Sequence, residues 1–383
     1  MKRIAFVVAA PATAEIFLRG HIAALGERYQ VDLIANLHQH YPLSVSANKI
    51  IHAPIHRSIN VWLDFMALLA LIRIFSKNRY DAVHSVTPKA GLLTMIAAWV
   101  TRVPVRNHTF TGQVWVTRAG LPRNLLRSLD KLVYSISTHS LVDSHSQRDF
   151  LLTEKVIQRK KSSVLANGSI SGVNVDRFKP DSGMRKIIRD KYGVSDNDLV
   201  FLFLGRINPD KGVPELISAF RRVSKVYTEA KLLIVGEDES GMFDDGSIED
   251  SFMGKLIRVG CTSEPEAYFN AADVFCLPSH REGFGSVLIE AAACGVASIA
   301  SNIYGISDAL VDNRTGLLHS VKCEEDLIAK MIVLVSNPRL RKQLANAAML
   351  RARGEFSSSV LEQELVAFYE KVFLDGEFTS FYR

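Results

Sequence analysis

Short apolar, β-branched runs alternate with longer amphipathic stretches along nearly the whole chain. Runs of about four to eight such residues fit strands buried on both faces, while apolar positions recurring three and four residues apart fit helices. The alternation predicts βαβ units and parallel sheets. In the first half, strands are predicted at Arg3–Ala9, Val31–Ala35, Ala82–Val86, Val103–His108, His139–Val142 and Ser163–Leu165, with helices near Ile16–Glu27, Ile59–Lys77, Gly91–Thr101 and Leu125–Ile136. The pattern breaks from Asn167-Gly168-Ser169 to Asp181-Ser182-Gly183, a polar stretch with glycine and proline that reads as a linker. A second series then places strands at Val200–Leu204, Lys231–Val235, Ile257–Val259, Val274–Leu277 and Val296–Ala300. Its helices are predicted at Pro214–Tyr227, Glu264–Ala271, Ser286–Cys294, Glu324–Ser336 and Arg339–Arg353. A last pattern, Ser359–Phe373, puts Leu361, Leu365, Phe368 and Val372 on one face.

The predicted fold class is therefore α/β, with two Rossmann-like, doubly wound domains. A chain of 383 residues exceeds what one ordinary core organises. The expected domains are residues 1–181 and 182–356, with a C-terminal helix over 357–383 packing back toward the first. Ligands of doubly wound sheets bind beyond the carboxyl ends of the strands. Two such sheets facing one another would offer two sets of strand-end loops to one cleft, and the motifs below fall on such loops.

The composition, 48% hydrophobic and 22% charged, excludes a disordered or fibrous chain. Charge changes the picture more. Residues 1–181 hold 23 Lys/Arg against 11 Asp/Glu, or +12, and the remainder 23 against 29, or −6, which together give the +6 of the whole chain. A basic half beside an acidic half points to an anionic partner for the first. Nucleic acid is disfavoured, because the cations are not interleaved with aromatics in a recognisable module. Cys261, Cys276, Cys294 and Cys323 lack the paired spacing of a zinc site or disulfide framework, which fits reduced thiols in a cytosol. Met1-Lys2-Arg3 followed by an apolar run reads as a first strand rather than a secretory signal, so a cytoplasmic location is expected. The longest apolar segment, Val61–Phe75, has 15 residues and contains Asp64 and Arg73, short of the ~20 a membrane-spanning helix needs. It reads either as a core helix or as a segment lying in a membrane interface.

Two motifs carry chemistry. Gly205-Arg206-Ile207-Asn208-Pro209-Asp210-Lys211-Gly212 lies between a predicted strand and a predicted helix. There Gly205 lets a ligand approach the backbone, and Arg206 and Lys211 set a planar fork and a point charge at the strand tip, a pairing suited to a diphosphate. A solvated strand-end loop is the plain alternative. The second motif is Pro278-Ser279-His280-Arg281-Glu282-Gly283-Phe284-Gly285-Ser286, leading into a helix that carries Glu290. Its glycines expose backbone N–H groups at a helix N-terminus, a ready anion site. Glu290, about two turns further on, can reach a hydroxyl pair such as a ribose. A buried helix with a capping glutamate would leave Gly-Phe-Gly unexplained.

As a set, Glu282 and Glu290 around Gly283-Phe284-Gly285, Gly205-Arg206 with Lys211-Gly212, Asn167-Gly168, Asp273 in an Ala-Ala-Asp turn, Ile306-Ser307-Asp308 and Thr315-Gly316-Leu317 resemble the family 4 glycosyltransferases of the GT-B fold. The motifs run through nearly the whole chain in the family's order. The resemblance implies a cleft between two Rossmann-like domains, with the acceptor on the first and the sugar nucleotide on the second. It implies retaining transfer with no metal ion and no cofactor. Arg206 and Lys211 would hold the diphosphate and stabilise it as it leaves. Glu282 and the backbone of the following Gly283, Phe284, Gly285 and Ser286 would hold the donor sugar, and Glu290 the ribose.

The first half departs from the family. Where many members carry Thr-x-His-Gly, this chain has His108-Thr109-Phe110-Thr111-Gly112, so Thr111 stands at the histidine position. Ala10-Pro11-Ala12-Thr13 replaces an early Gly-Gly loop. His84, His108 and Thr111 are the candidates for lining the reacting sugar, although a strand-end histidine reads as readily as structural. Together with Thr87-Pro88-Lys89-Ala90-Gly91 and Asn167-Gly168-Ser169-Ile170-Ser171-Gly172, this variant resembles bacterial enzymes that add N-acetylated or amino-deoxy hexoses to polyprenyl-diphosphate-linked sugars in O-antigen, capsule or protein-glycan assembly. The resemblance implies a UDP-sugar donor, a lipid-linked saccharide acceptor, and peripheral contact with anionic membrane at the inner face of the cytoplasmic membrane. Val61–Phe75 would supply apolar contacts, and Arg118, Arg123, Arg127 and Lys131 cationic ones. A nucleotide-sugar epimerase, a phosphorylase and a non-catalytic sugar-nucleotide-binding protein are the alternatives, and each explains the Glu282–Glu290 motif less well.

Overall fold

The computed structural model describes residues 1–38, 41–56, 58–244, 252 and 254–380, with backbone alone for 375–380. Residues 381–383 of the expected C-terminal helix lie outside the described residues. The chain divides into two compact units, one of Met1–Gly172 with Ser358–Arg383 and one of Val173–Ser357.

In the first unit, β1 (Arg3–Val7), β2 (Gln30–Ala35), β3 (Lys49–His52), β4 (Ala82–Val86), β5 (Val105–Phe110), β6 (His139–Val142) and β7 (Ser162–Ser163) form one parallel sheet in the order β3-β2-β1-β4-β5-β6-β7. The direction of winding reverses between β1 and β4. The connections carry α1 (Arg19–Gly26), α2 (Val61–Asn78), α3 (Pro88–Val100), α4 (Gly120–Ile136) and α5 (His145–Thr153). A helical turn, Pro11–Thr13, and a π-helical segment, Ala14–Leu18, precede α1. They take up the first part of what reads in sequence as one helix.

The second unit repeats the plan. Its helices are α6 (Ser182–Lys191), α7 (Val213–Val226), α8 (Pro265–Ala271), α9 (Ser286–Ala293), α10 (Ile306–Ala309), α11 (Glu324–Ser336) and α12 (Pro338–Glu355). Strands β8 (Leu199–Leu204), β9 (Ala230–Val235), β10 (Leu256–Val259), β11 (Val274–Leu277), β12 (Ala297–Ser301) and β13 (Leu317–His319) run parallel in the order β10-β9-β8-β11-β12-β13. Here the winding reverses between β8 and β11. The apolar run of β8 is explained by two-sided burial. Val200 and Leu202 enter one core and Phe201 and Phe203 the other.

The final helix, α13 (Ser358–Ser380), belongs to the first unit. Leu365, Tyr369, Val372 and Phe373 join the core formed by β1, β2 and α1, and the Tyr369 hydroxyl meets His84 Nδ1 at 3.0 Å. The divisions fall at 172/173 and 357/358 rather than at 181/182 and 356/357. Residues after Gly172 are already tied to the second unit, since Val173 N–H donates to Phe356 O at 2.7 Å and Asp181 N–H to Asn270 Oδ1 at 2.7 Å. The stretch read as linker up to Gly183 instead ends in a helix start, where Asp181 caps α6 by accepting from Met184 N–H. Among the described residues, no helix is long and apolar enough to cross a membrane.

Candidate functional site

The loops after β8 and β11 flank the switch point of the second sheet, where doubly wound folds bind ligands. Both candidate motifs sit there. Gly212 closes the β8 loop at φ +65°, and a Cβ on it would lie 2.1 Å from Pro278 O. Only glycine lets the two loops press together so closely. His280 N–H donates to Asp210 O at 2.8 Å, and Arg281 donates to Asp210 Oδ2 at 2.7 Å from Nη2 and 3.2 Å from Nε. His280 Nε2 lies 2.9 Å from Glu215 Oε1.

Each expected diphosphate cation has a carboxylate partner. Lys211 Nζ donates to Glu282 Oε1 at 2.5 Å, and Ser279 Oγ donates to the same oxygen at 2.9 Å. Arg206 Nη1 donates to Glu239 Oε1 and Oε2 at 2.9 and 3.1 Å. The Arg206 side chain stays 56% exposed and that of Lys211 20%. Lys211 and Glu282, 71 positions apart in sequence, thus meet at one point. Sequence reasoning did not foresee Glu239, Asp210, Arg281, His280 or Glu215 as their neighbours. Asp210, His280 and Arg281 lie inside the motifs, but nothing in their spacing marked them as the fastening between the two loops.

The helix start after Glu282 carries no side-chain cap. Gly285 takes φ +80° as the N-cap of α9, so the first amides are unclaimed by any cap. The Phe284 side chain is buried against Phe356, ring centroids 5.3 Å apart, and anchors the helix start from below, so only its backbone is left to face a ligand. Gly283 lies beneath the chain at Gly305, where a Cβ would come 2.4 Å from Gly283 O. Glu290 stands on the second turn of α9. Among the described residues its carboxyl has no hydrogen-bond partner, and burial pushes its pKa up to about 8, with Arg177 opposing and Glu266 adding to the shift. Arg177 is itself paired with Glu266 at 2.8 Å. Burial thus favours the protonated carboxyl.

Other motif residues serve the scaffold. Asp273 accepts from Arg185 at 2.8 Å, Arg189 at 2.7 Å and Val200 N–H at 2.8 Å, which locks α6 to the start of β11, away from the carboxyl ends. Thr315 Oγ1 accepts from Val311 N–H at 2.8 Å in the turn before β13.

In the first unit the histidine candidates lie inside the fold. His108 is 2% exposed, lies 2.9 Å from Ser85 Oγ and has its ring directly beneath Gly91 of α3. Burial pushes its pKa down to about 3. His84 contacts Thr109 Oγ1 at 2.7 Å, Asn107 Nδ2 at 3.2 Å and the Tyr369 hydroxyl, and burial, with His21 and His108 nearby, lowers its pKa well below the usual value. Burial favours the neutral ring at both; His84 lines a small cavity with His21, Thr109 and Asp143, whereas His108 packs beneath α3. Thr111 lies just past the end of β5 and is half-buried, and its carbonyl accepts from Gln113 and Gln147, each at 2.6 Å.

In the cationic cluster at α4, Arg123 and Arg127 share the single carboxylate of Glu154, each at 3.2 Å, while Arg118 and Lys131 are exposed. By contrast, α2 is only partly a core helix. Ala67, Leu71 and Phe75 are buried, while Val61, Trp62, Phe65, Met66 and Leu69 are exposed, Trp62 by 69%.

With this geometry in place, comparison with known proteins decides the family. The family model "Glycosyl transferase 4-like domain" matches residues 13–168 and "Glycosyl transferases group 1" matches residues 184–351. The chain is 31% identical over 338 residues to the capsular polysaccharide biosynthesis glycosyltransferase CapM of Staphylococcus aureus, covering 86% of this chain and 87% of that one. The chain belongs to the family 4 glycosyltransferases. A second relative, 26% identical over 263 residues and 67% of each chain, is the UDP-Gal:alpha-D-GlcNAc-diphosphoundecaprenol alpha-1,3-galactosyltransferase of Escherichia coli. Sucrose-phosphate synthase from Thermosynechococcus elongatus shares the fold, with a TM-score of 0.82 at 19% identity over 98% of this chain and 100% of that one. The two parallel sheets with flanking helices are those of the GT-B fold, and this family 4 member is a glycosyltransferase.

Proposed function

We propose that this glycosyltransferase moves a hexose, N-acetylated or amino-deoxy, from a UDP-sugar to a polyprenyl-diphosphate-linked saccharide in surface polysaccharide or glycan assembly, with retention and without a metal ion. The observation that carries the donor half is the meeting of Lys211, Glu282 and the uncapped start of α9 at the switch point of the second sheet. Arg206, Lys211 and the α9 amides would take the diphosphate. As the bond from the sugar to the diphosphate breaks, negative charge grows on the diphosphate, and fixed cations and amides stabilise that charge without needing to reorganise. Glu282, held by Lys211 and Ser279, would accept hydrogen bonds from donor-sugar hydroxyls. The protonated Glu290 would both donate to and accept from the ribose diol.

The acceptor half is supported by the relatives' printed activities, a capsular polysaccharide glycosyltransferase and a transferase to a diphosphoundecaprenol-linked sugar. It is also supported by the +12 charge of residues 1–181. A stripe on α2, apolar at Trp62, Phe65, Met66 and Leu69 and cationic at Arg73 and Lys77, all exposed, would rest in the interfacial layer of an anionic membrane. Incubation with a panel of UDP-, GDP- and ADP-sugars and bacterial lipid extract tests the whole proposal. Transfer from a UDP-sugar into the lipid fraction is expected. Transfer only from another nucleotide, or only to water-soluble acceptors, would contradict the corresponding half.

A further inference from the structure

Arg206 and Asn208, at the tip of the β8 loop, already hold an anion, and it comes from the protein itself. Arg206 Nη1 donates to both Glu239 oxygens at 2.9 and 3.1 Å, and Asn208 Nδ2 donates to Oε2 at 2.9 Å. Glu239 is set in place by backbone. Its N–H donates to Ile207 O at 2.9 Å, and Ile207 N–H donates to Glu237 O at 2.8 Å, so the loops after β8 and β9 are stitched together. The turn itself is built by Asp238, whose carboxylate accepts from the N–H groups of Ser240, Gly241 and Phe243 at 3.0, 2.9 and 3.1 Å. The Arg206 side chain remains 56% exposed beside this pair.

We propose that Glu239 is an internal stand-in for the donor diphosphate, seated on Arg206 and Asn208 in the free enzyme and displaced when the sugar nucleotide enters. The inference rests on Arg206 being a diphosphate ligand. A carboxylate offers two anionic oxygens to a guanidinium in the manner of a phosphate, so the two compete for the same donors. Two consequences follow for the reaction. Entry favours ligands that bring more negative charge than a carboxylate, as a diphosphate does. After transfer, Glu239 lies beside the spent nucleoside diphosphate and can retake Arg206, which hastens its release. Glu239 thus acts through Arg206 as a positioning residue that sets donor affinity. The Glu282 pair with Lys211 differs, because Glu282 is itself placed to meet the sugar.

Calorimetric titration of the full chain with UDP, and separately with inorganic diphosphate, tests this. Glu239→Gln should bind both probes about 2- to 5-fold tighter, the worth of an exposed ion pair, and donor KM should fall by a similar factor while kcat does not rise. Glu239→Ala should change affinity in the same direction. In an Arg206→Ala background, Glu239→Gln should change nothing. Unchanged or weaker binding by Glu239→Gln overturns the stand-in, as does equal tightening when Arg206 is absent, which would mark a bulk charge effect. In either case a loss of binding in Arg206→Ala alone leaves the donor-site proposal standing. Wild-type affinity in Arg206→Ala, or a wild type that binds neither probe, overturns both.

Discussion

The carboxyl ends of the two sheets occupy equivalent places in the same winding, yet they treat polar groups in opposite ways. In the second unit the polar side chains stand on loops, charged and partnered by counter-ions: Lys211 with Glu282, Arg206 with Glu239, Arg281 with Asp210. In the first unit His84 and His108 are drawn into the core and held neutral by burial. A charge that is partly buried is best offered to a ligand when it is already compensated and can trade partners, because an unpaired buried charge is too costly to keep. A buried neutral imidazole hydrogen-bonded to Ser85 or Thr109 satisfies the core instead and has little to trade.

The largest effects should separate these two regions. Lys211→Ala or Arg206→Ala should lower turnover at least ~100-fold, the scale of losing one preorganised charge stabiliser, while the melting temperature barely moves. His108→Ala should do the reverse. It leaves a cavity under α3 that costs about 2–4 kcal/mol of stability, with UDP affinity retained in the folded fraction. Steady-state kinetics beside thermal melts would decide, and near-wild-type turnover in Lys211→Ala would erase the distinction.

Surface binding comes next. Trp62→Ser with Phe65→Ser should reduce partition onto anionic vesicles more than tenfold at low salt. Arg73→Ala or Lys77→Ala should each weaken it about fivefold, near 1 kcal/mol per charge. Arg123→Glu with Arg127→Glu should mainly lower thermal stability, since it sets two new carboxylates against Glu154. Vesicle sedimentation measures the first two effects, and an apolar variant that binds as well as wild type would remove α2 from the interface.

What could be read from the sequence follows the same division. Strands β4, β6 and β11 and helix α11 begin and end at the expected residues, because two-sided burial and helical period are written locally. β3 is a four-residue edge strand and mostly exposed, so it has neither an apolar run nor alternation to betray it. α6 hides because Arg189 sits on its buried side, balanced by Asp273, which lies 84 positions away. The motif loops of the second unit were legible as candidate anion-binding loops, since glycines and charges cluster there in sequence. Their counter-ions were not, because Glu239 and Glu282 reach Arg206 and Lys211 only once β9 and β11 flank β8. The burial of His108 was hidden for the converse reason, since a strand-end position does not reveal that Gly91 leaves room for the ring to turn inward.

Smaller effects concern the carboxyls. Glu290 ordinarily titrates near 4.5 and is raised to about 8 by burial. Between those values the folded state holds a proton that the unfolded chain has released, so its contribution to stability falls as pH rises through that window. Glu290→Gln stays neutral and should lose this slope, so its melting temperature should gain on wild type from pH 5 to 8 and level off above. The slope from Asp143, raised to about 8 by burial in the first unit, should remain. Donor KM should rise a few-fold in the variant with kcat nearly kept, as loss of uniform binding requires. An unaltered pH slope would mean that the carboxyl is not desolvated. The smallest expected effect is that of excess EDTA, which should leave turnover unchanged if, as proposed, Arg206, Lys211 and the α9 amides meet the leaving charge. Strict dependence on Mg²⁺ or Mn²⁺ would speak against that division of labour.

The most direct measurement is a crystal structure of the full chain with UDP. The diphosphate is expected within hydrogen-bond distance of Arg206, Lys211 and the first amides of α9, with the ribose at Glu290 and Glu239 displaced from Arg206. A diphosphate bound elsewhere, such as beyond β1 and β4 of the first sheet, with the Lys211–Glu282 and Arg206–Glu239 pairs undisturbed, would contradict the assignment of the donor site to the β8 and β11 loops.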